Sequence, residues 1–160
     1  FKRRAIINLW QEELLQNSSG LPPCAFLSMF SVSKRGDSED LYLDLTLVQR
    51  SNDYATASHI NKIQYVALLM MFSKHLGYKP GKFMHVIQNL HIYSYHLDNT
   101  KELLDRPKIL QEREKQSQPK LILNVPNGTS FYDISCDDFE LVDYNPILPQ
   151  LSFELAVNMK

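Results

Sequence analysis

The stretch LYLDLTLVQR, residues 41–50, places a leucine at every second position from residue 41 to residue 47. A β-strand turns successive side chains to opposite faces, so this spacing predicts a strand with one leucine-lined face. The leucines on that face are Leu41, Leu43, Leu45 and Leu47. The apolar run 26–33 is typical of a second strand, and a charged loop containing Gly36 separates the two. We therefore predict a β-hairpin.

Further strands and two helices are predicted around this hairpin. Residues 3–10 and 83–93 carry the apolar and β-branched residues that are typical of strands. Short strands are also expected near 121–125, 139–143 and 151–157. Because strands outnumber helices and do not follow a strict βαβ order, we predict an α+β fold, a mixed β-sheet with packed helices.

The first predicted helix spans about residues 59–76 and has local start and stop signals. Thr56 and Ser58 are its candidate N-caps, and Gly77 follows its end. Its apolar residues cover most of the circumference, so we expect this helix to be buried on nearly all sides.

The second predicted helix begins near residue 97. Asp98 or Thr100 can cap its first turn. Pro107 has no backbone N–H and is expected to close the helix.

The composition is that of an ordinary globular domain. The 160 residues are 44% hydrophobic, with a formal net charge of −1. This length predicts one domain, and the near-neutral charge gives no reason to expect DNA or an anionic membrane as a partner. The two cysteines lack the spacing of a zinc site, so no metal is expected. No signal peptide or membrane-spanning run is expected either, which favours a cytoplasmic protein with free thiols.

Two segments carry candidate nucleophile and anion chemistry. Cys24 follows Pro22 and Pro23, and a thiol there is either an ordinary packing residue or a nucleophile that needs a nearby cation. Arg50 and Ser51 end the leucine-lined strand, where a guanidinium and a hydroxyl can bind phosphate together. A surface arginine in a polar loop is the ordinary alternative.

Two further pairs are ambiguous when taken singly. His91 and Tyr93 share one strand face by period two, and such a pair can hydrogen-bond a sugar hydroxyl. Arg3 and Arg4 point to opposite faces of the first strand, so at most one serves a given site from one direction. Half-buried strands and solubilising edges show the same residue types.

Taken in order along the chain, these segments resemble the thymidylate synthase family, which is related to the deoxycytidylate hydroxymethylases. The resembling segments are RRAIINLW (3–10), LPPC (21–24), QRSND (49–53), NKIQY (61–65), HIYSYH (91–96), DDFELVDYNP (137–146) and FELAV (153–157). Their order and compatible spacing make the resemblance specific. No segment resembles the family's N-terminal part, so we expect residues 1–160 to be the C-terminal part of a single catalytic domain of this type.

The resemblance implies a methyltransferase that converts dUMP to dTMP with 5,10-methylenetetrahydrofolate as co-substrate. Cys24 would attack C6 of the pyrimidine. Arg50 would bind the phosphate and supply the cation beside the thiol. Asn61 would pair with the uracil edge, since an aspartate at this position would favour cytosine.

The resemblance also implies roles for residues around the nucleotide and the folate. Ser51 would bind the phosphate, and His91 and Tyr93 would hold the deoxyribose 3′-hydroxyl. Asp53 would contribute to the substrate site and face the folate pterin. Val157 would help to close the site over the folate, as a lid that excludes water.

A homodimer follows from the same resemblance. Arg3 and Arg4 would reach across a dimer interface into the phosphate site of the partner subunit. That arrangement gives a function to two adjacent cations that a single subunit does not explain.

Two alternatives remain open. Ala25 and Met29 stand where the family usually has histidine and glutamine, and Gln88 stands where it usually has glycine. The altered surroundings motivate a dUMP hydroxymethylase, in which water replaces the hydride at the last step. The absence of the N-terminal motifs motivates a non-catalytic nucleotide-binding or dimerisation remnant.

Overall fold

The computed structural model describes residues 5–110 and 118–155, with side chains described for 5–106 and 118–155. Its strands are β1 Ala5–Asn8, β2 Ala25–Lys34, β3 Leu41–Asp53, β4 Lys79–His91, β5 Lys120–Leu123 and β6 Phe139–Val142. Its α-helices are α1 Glu12–Gln16, α2 Ser58–Leu76 and α3 Leu97–Leu110, and its short 3-10 turns are Ser94–His96, Phe131–Asp133 and Cys136–Asp138.

The main sheet has the strand order β1-β2-β3-β4. β1 pairs with β2 and β2 with β3 in antiparallel fashion, which confirms the predicted hairpin. β3 and β4 are parallel, because α2 carries the chain back across the sheet between them. β5 and β6 form a separate antiparallel pair. The predicted α+β class with a mixed sheet is therefore confirmed.

The leucine face of β3 is the centre of the hydrophobic core. Leu43, Leu45 and Leu47 are at most 3% exposed. Tyr65 and Leu69 of α2 pack against them in the same cluster. The period-two pattern of β3 thus decides which face of the sheet receives the helix.

α2 departs from its prediction in two ways. Its N-cap is Ala57 without a side-chain cap, so neither Thr56 nor Ser58 takes that position. The helix also buries one side only within the described part of the chain, since Ile60 is 57% and Ile63 60% exposed. The distribution of apolar residues around a helix does not by itself determine which of its sides pack against neighbouring elements. The predicted stop is confirmed, because Gly77 ends α2 in the left-handed conformation with φ 72°.

α3 is longer than predicted. It continues past Pro107 to Leu110, since a proline removes one helical hydrogen bond without always ending the helix. Asp98 lies inside the first turn, because the 3-10 turn Ser94–His96 already precedes the helix. The strand predicted at 151–157 is wrong for residues 151–155, which have no regular secondary structure. Residues 156 and 157 lie outside the described part.

Candidate active site

Residues that are far apart in sequence lie close together at one end of the strands of the main sheet. β2 begins where β3 ends, and Ala25 is the Cα partner of Gln49. β4 ends at the same edge, where Asp53 pairs with His91. Cys24, the residue before β2, therefore lies beside the end of β3. We call this end of the sheet, with the turn from β3 into α2, the site edge.

Cys24 and Arg50 are in direct contact at the site edge. The Arg50 backbone N–H donates to the Cys24 carbonyl oxygen over 2.8 Å. Its guanidinium Nη2 lies 3.6 Å from Cys24 Sγ and 3.4 Å from the Pro22 carbonyl oxygen. The thiol is exposed and unpaired. β3 thus supplies the cation that the residues next to Cys24 lack.

Asn61, in the first turns of α2, is tied to β3 by two amides. Gln49 Nε2 donates to Asn61 Oδ1 over 3.1 Å, and Asn52 Nδ2 donates to the same oxygen over 3.2 Å. Both donors are almost fully buried, with Gln49 1% and Asn52 2% exposed. Each lone pair of Oδ1 therefore has a donor, which orients the amide of Asn61.

Gln49 and Asn52 were not identified as site residues from the sequence, although a signal for Gln49 exists. Gln49 occupies the next period-two position after Leu47 on the buried face of β3. A polar side chain that continues an apolar row must find buried hydrogen-bond partners. Asn52 has no comparable pattern, because the burial alternation changes phase after Gln49.

His91 is the last residue of β4 and Tyr93 lies two residues beyond it, so the two do not share a strand face as predicted, although their side chains lie together. The two ring centroids are 5.0 Å apart in an edge-to-face arrangement. The Tyr93 ring also stacks on the Tyr95 ring, with the two ring centroids 5.3 Å apart. Tyr93 is 37% exposed. His91 Nδ1 is buried without a partner in the described part of the chain. The pair therefore offers a phenol and an imidazole for contact with a polar ligand.

Asp53 organises the turn between β3 and α2. Its carboxylate accepts hydrogen bonds from the Ala55 N–H over 3.0 Å and from Thr56 Oγ1 over 2.6 Å. His96 Nδ1 lies 3.8 Å from the same carboxylate. The preceding Ser51 uses its backbone carbonyl to accept from Gln49 Nε2. These contacts hold the turn so that Asn61 enters the site edge at a defined position.

Three of the predicted site residues lie outside the part of the chain that the structure describes. Arg3, Arg4 and Val157 do not belong to the described residues, and their roles stay predictions.

Within residues 5–110 and 118–155, no group of three or more His, Cys, Asp or Glu side chains could hold a metal ion. No helix of that part is long and apolar enough to span a membrane.

Comparison with known proteins matches the sequence of this chain to a protein family. The family model described as thymidylate synthase matches residues 1–157. A thymidylate synthase of Streptococcus pyogenes serotype M12 is 54% identical over 98% of this chain and 53% of its own length. That of Streptococcus thermophilus is 52% identical over 98% of this chain and 52% of its own length. The chain spans about half the length of the curated relatives it matches.

A solved structure gives the same match at the level of the fold. The thermostable thymidylate synthase A from Bacillus subtilis superposes with a TM-score of 0.73 and is 33% identical in sequence. The match covers 96% of this chain and 50% of that one.

Proposed function

The chain belongs to the thymidylate synthase family, and we propose that the intact protein converts dUMP to dTMP with 5,10-methylenetetrahydrofolate. The observation that carries this proposal is the contact between the Arg50 guanidinium and the Cys24 thiol at 3.6 Å. An exposed thiol beside a cation is suited to attack an electron-poor carbon. The same cation can bind the phosphate of a nucleotide.

The proposed reaction begins with a covalent bond between Cys24 Sγ and C6 of the uracil ring. The electron pair of the C5–C6 double bond moves towards C5 and the C4 carbonyl, which makes C5 a nucleophile. We assign to the Asn61 amide N–H groups the stabilisation of the developing negative charge on that carbonyl oxygen. C5 then bonds to the one-carbon unit of the folate, and the C5 proton is lost as the folate nitrogen leaves that carbon. Hydride transfer from the folate to the same carbon returns the electron pair to the C5–C6 bond, which expels the Cys24 thiolate and leaves dTMP and dihydrofolate.

The folate supplies the one-carbon unit and, at the end, the hydride that completes the methyl group. Asp53 fits a folate N–H donor, because each carboxylate oxygen accepts one internal hydrogen bond and keeps lone pairs free. We place Asp53 towards the pterin and Val157 in the segment that closes over it. Ser51 joins Arg50 on the phosphate, and His91 with Tyr93 holds the 3′-hydroxyl.

A homodimer is part of the proposal, and the sheet face opposite α2 supports it. Ile6, Met29, Thr46 and Met84 form one cross-strand row by register. Ile6 is 59%, Met29 36% and Met84 58% exposed on that face. An apolar row of this kind on a sheet face is typical of an interface.

The strand register also supports the role of Arg3 and Arg4 in the partner's phosphate site. Ala5 pairs with Phe30, which lies six residues along β2 from Cys24. At about 3.3 Å per residue that separation is roughly 20 Å. We therefore assign Arg3 and Arg4 to the phosphate site of a second subunit instead of to the Cys24 site of their own chain. The cytoplasm is the proposed location, on the ground of two unpaired cysteines.

Covalent trapping tests the proposed function. We expect the intact protein, mixed with 5-fluoro-dUMP and methylenetetrahydrofolate, to form an adduct at Cys24 that mass spectrometry detects. Cys24→Ser should abolish the adduct, whereas Cys136→Ser, which removes the other exposed thiol, should retain it. With dUMP, dihydrofolate should appear spectrophotometrically and the product should carry a methyl group. Nucleotide binding without adduct or product would favour a non-catalytic remnant, and a hydroxymethyl product would favour the hydroxymethylase.

A further inference from the structure

A row of hydrogen-bonded side chains connects β4 to α2 behind the site edge. His85 Nε2 lies 2.7 Å from Gln49 Oε1. Gln49 Nε2 then donates to Asn61 Oδ1, which also accepts from Asn52 Nδ2. His85 lies on β4, Gln49 and Asn52 on β3, and Asn61 on α2. Two successive hydrogen bonds thus link His85 to Asn61, the residue that contacts the pyrimidine base in the proposed function.

The backbone of β3 fixes the direction of these hydrogen bonds. Gln49 Nε2 lies 2.8 Å from the Ser51 carbonyl oxygen, and a carbonyl can only accept. The amide nitrogen of Gln49 must therefore face Ser51, and its oxygen Oε1 must face His85. An amide oxygen accepts only, so His85 has to carry a proton on Nε2.

The second ring nitrogen of His85 agrees with this proton position. Nδ1 is buried and has no partner among the described residues. A buried lone pair without a partner costs less than a buried N–H without one. Burial, together with the positive charge of Lys62, lowers the pKa of His85 below its ordinary value, so the ring is neutral at pH 7. A neutral imidazole ring carries one N–H proton, so the nitrogen that holds it determines whether His85 can donate to Gln49.

The position of the proton on His85 determines which groups of Asn61 are free to contact a ligand. With Nε2 protonated, Gln49 offers N–H to Asn61 Oδ1, and the Asn61 amide N–H groups are left to donate to a ligand. A donor fits the C4 carbonyl of uracil and not the C4 amino group of cytosine. With the proton on Nδ1, Gln49 would turn its amide, and its oxygen would face the oxygens of Ser51 and Asn61.

We infer that His85 is a positioning residue for pyrimidine choice: it holds Gln49, Gln49 holds Asn61, and Asn61 then donates to the C4 carbonyl of a uracil nucleotide. This inference rests on the proposed function, in which Asn61 contacts the base. It assigns to His85 an effect on the preference for uracil over cytosine in addition to any effect on folding.

Nucleotide binding to the intact protein tests the inference. Calorimetry gives the dissociation constants of dUMP and dCMP for the wild type, His85→Phe and His85→Gln. We expect His85→Phe to lower the preference for dUMP by about tenfold, the usual effect of one lost hydrogen bond. His85→Gln keeps a donor and should restore most of the preference. His75→Phe is the matched control, because His75 lies on α2 and contacts Thr129 and Phe131 instead.

A wild-type preference in His85→Phe would overturn the inference while leaving the proposed function intact. Failure of the wild type to bind dUMP would overturn both. If His85→Phe does not fold, nitrogen-15 NMR of the wild-type histidine rings decides the question. A proton on Nε2 of His85 supports the inference, and a neutral ring protonated on Nδ1 would exclude it.

Discussion

The thiol of Cys24 lies beside the guanidinium of Arg50, a residue 26 positions away in the chain. Two prolines precede it and the start of β2 follows, and neither offers a charge. Arg50 reaches it because β2 and β3 are antiparallel and meet at the site edge. The guanidinium also contacts the Pro22 carbonyl, so it is held at the thiol by the turn that presents Cys24.

Arg50→Lys should weaken both nucleotide binding and thiol reactivity. An ammonium group cannot reproduce the planar contacts of a guanidinium with a carbonyl, a thiol and a phosphate together. We expect a loss of about tenfold in dUMP affinity, which calorimetry measures. Alkylation of Cys24 by iodoacetamide should also slow.

Arg35→Lys is the matched control for this substitution. Arg35 lies over the Tyr42 ring, 4.1 Å from its centroid, at the loop end of the hairpin. It should leave both measurements unchanged. Wild-type affinity and alkylation in Arg50→Lys would contradict the role of the guanidinium.

At the level of elements, the pairing of β3 with β4 depends on a close approach near Gly81. The register shifts between Leu43 and Leu45, opposite the start of β4. At that shift the Lys82 N–H donates to Asp44 Oδ1 over 2.6 Å. A Cβ at Gly81 would lie 2.5 Å from the Leu43 carbonyl oxygen and closer still to Asp44 Oδ1. Backbone cannot give way as a flexible side chain can, so glycine is required here.

Gly81→Ala should therefore destabilise the protein by about 1–3 kcal/mol, the usual cost of overpacking. Urea unfolding followed by circular dichroism measures this as a lower midpoint. Gly20→Ala is the control, because its nearest contact would be Ser18 Oγ at an ordinary 3.4 Å. Equal midpoints for the two variants would show that β3 and β4 pair without this close approach.

At the level of the whole molecule, the two faces of the main sheet differ in what covers them. α2 packs on the face that carries Leu45 and Leu47. The opposite face exposes the row that contains Ile6, Met29 and Met84. A second copy of the chain is the proposed cover for that row, and it would also bring Arg3 and Arg4 to a partner's site.

Met84→Asp should convert the intact protein from a dimer into a monomer. Burying an unpaired carboxylate in an apolar interface is unfavourable, whereas in a monomer the side chain stays in water. Light scattering at micromolar concentration measures the change in mass. Tyr132→Asp, at a side chain that is 92% exposed, should leave the dimer intact. A dimeric Met84→Asp variant would place the interface elsewhere.

Several features of the fold were accessible from local patterns. The leucines of β3 predicted a buried strand face, because alternation depends only on the geometry of one strand. Gly77 predicted the end of α2, because a left-handed residue favours glycine whatever surrounds it. Thr56 shows the limit of such signals, since its hydroxyl donates to Asp53 instead of capping the helix. Ile60 and Ile63 show the same limit, because the described part of the chain leaves both exposed.

The order of the motifs along the chain was sufficient to predict the family, and with it the candidate roles of Cys24, Arg50 and Asn61. The buried connection from His85 through Gln49 to Asn61 was not predictable in this way. Residues 36 positions apart in sequence, such as Gln49 and His85, meet only when β4 adds beside β3 in one particular register. Residue patterns state which face of an element is apolar, whereas hydrogen-bond partners depend on the register between distant elements, and only the folded chain sets that register.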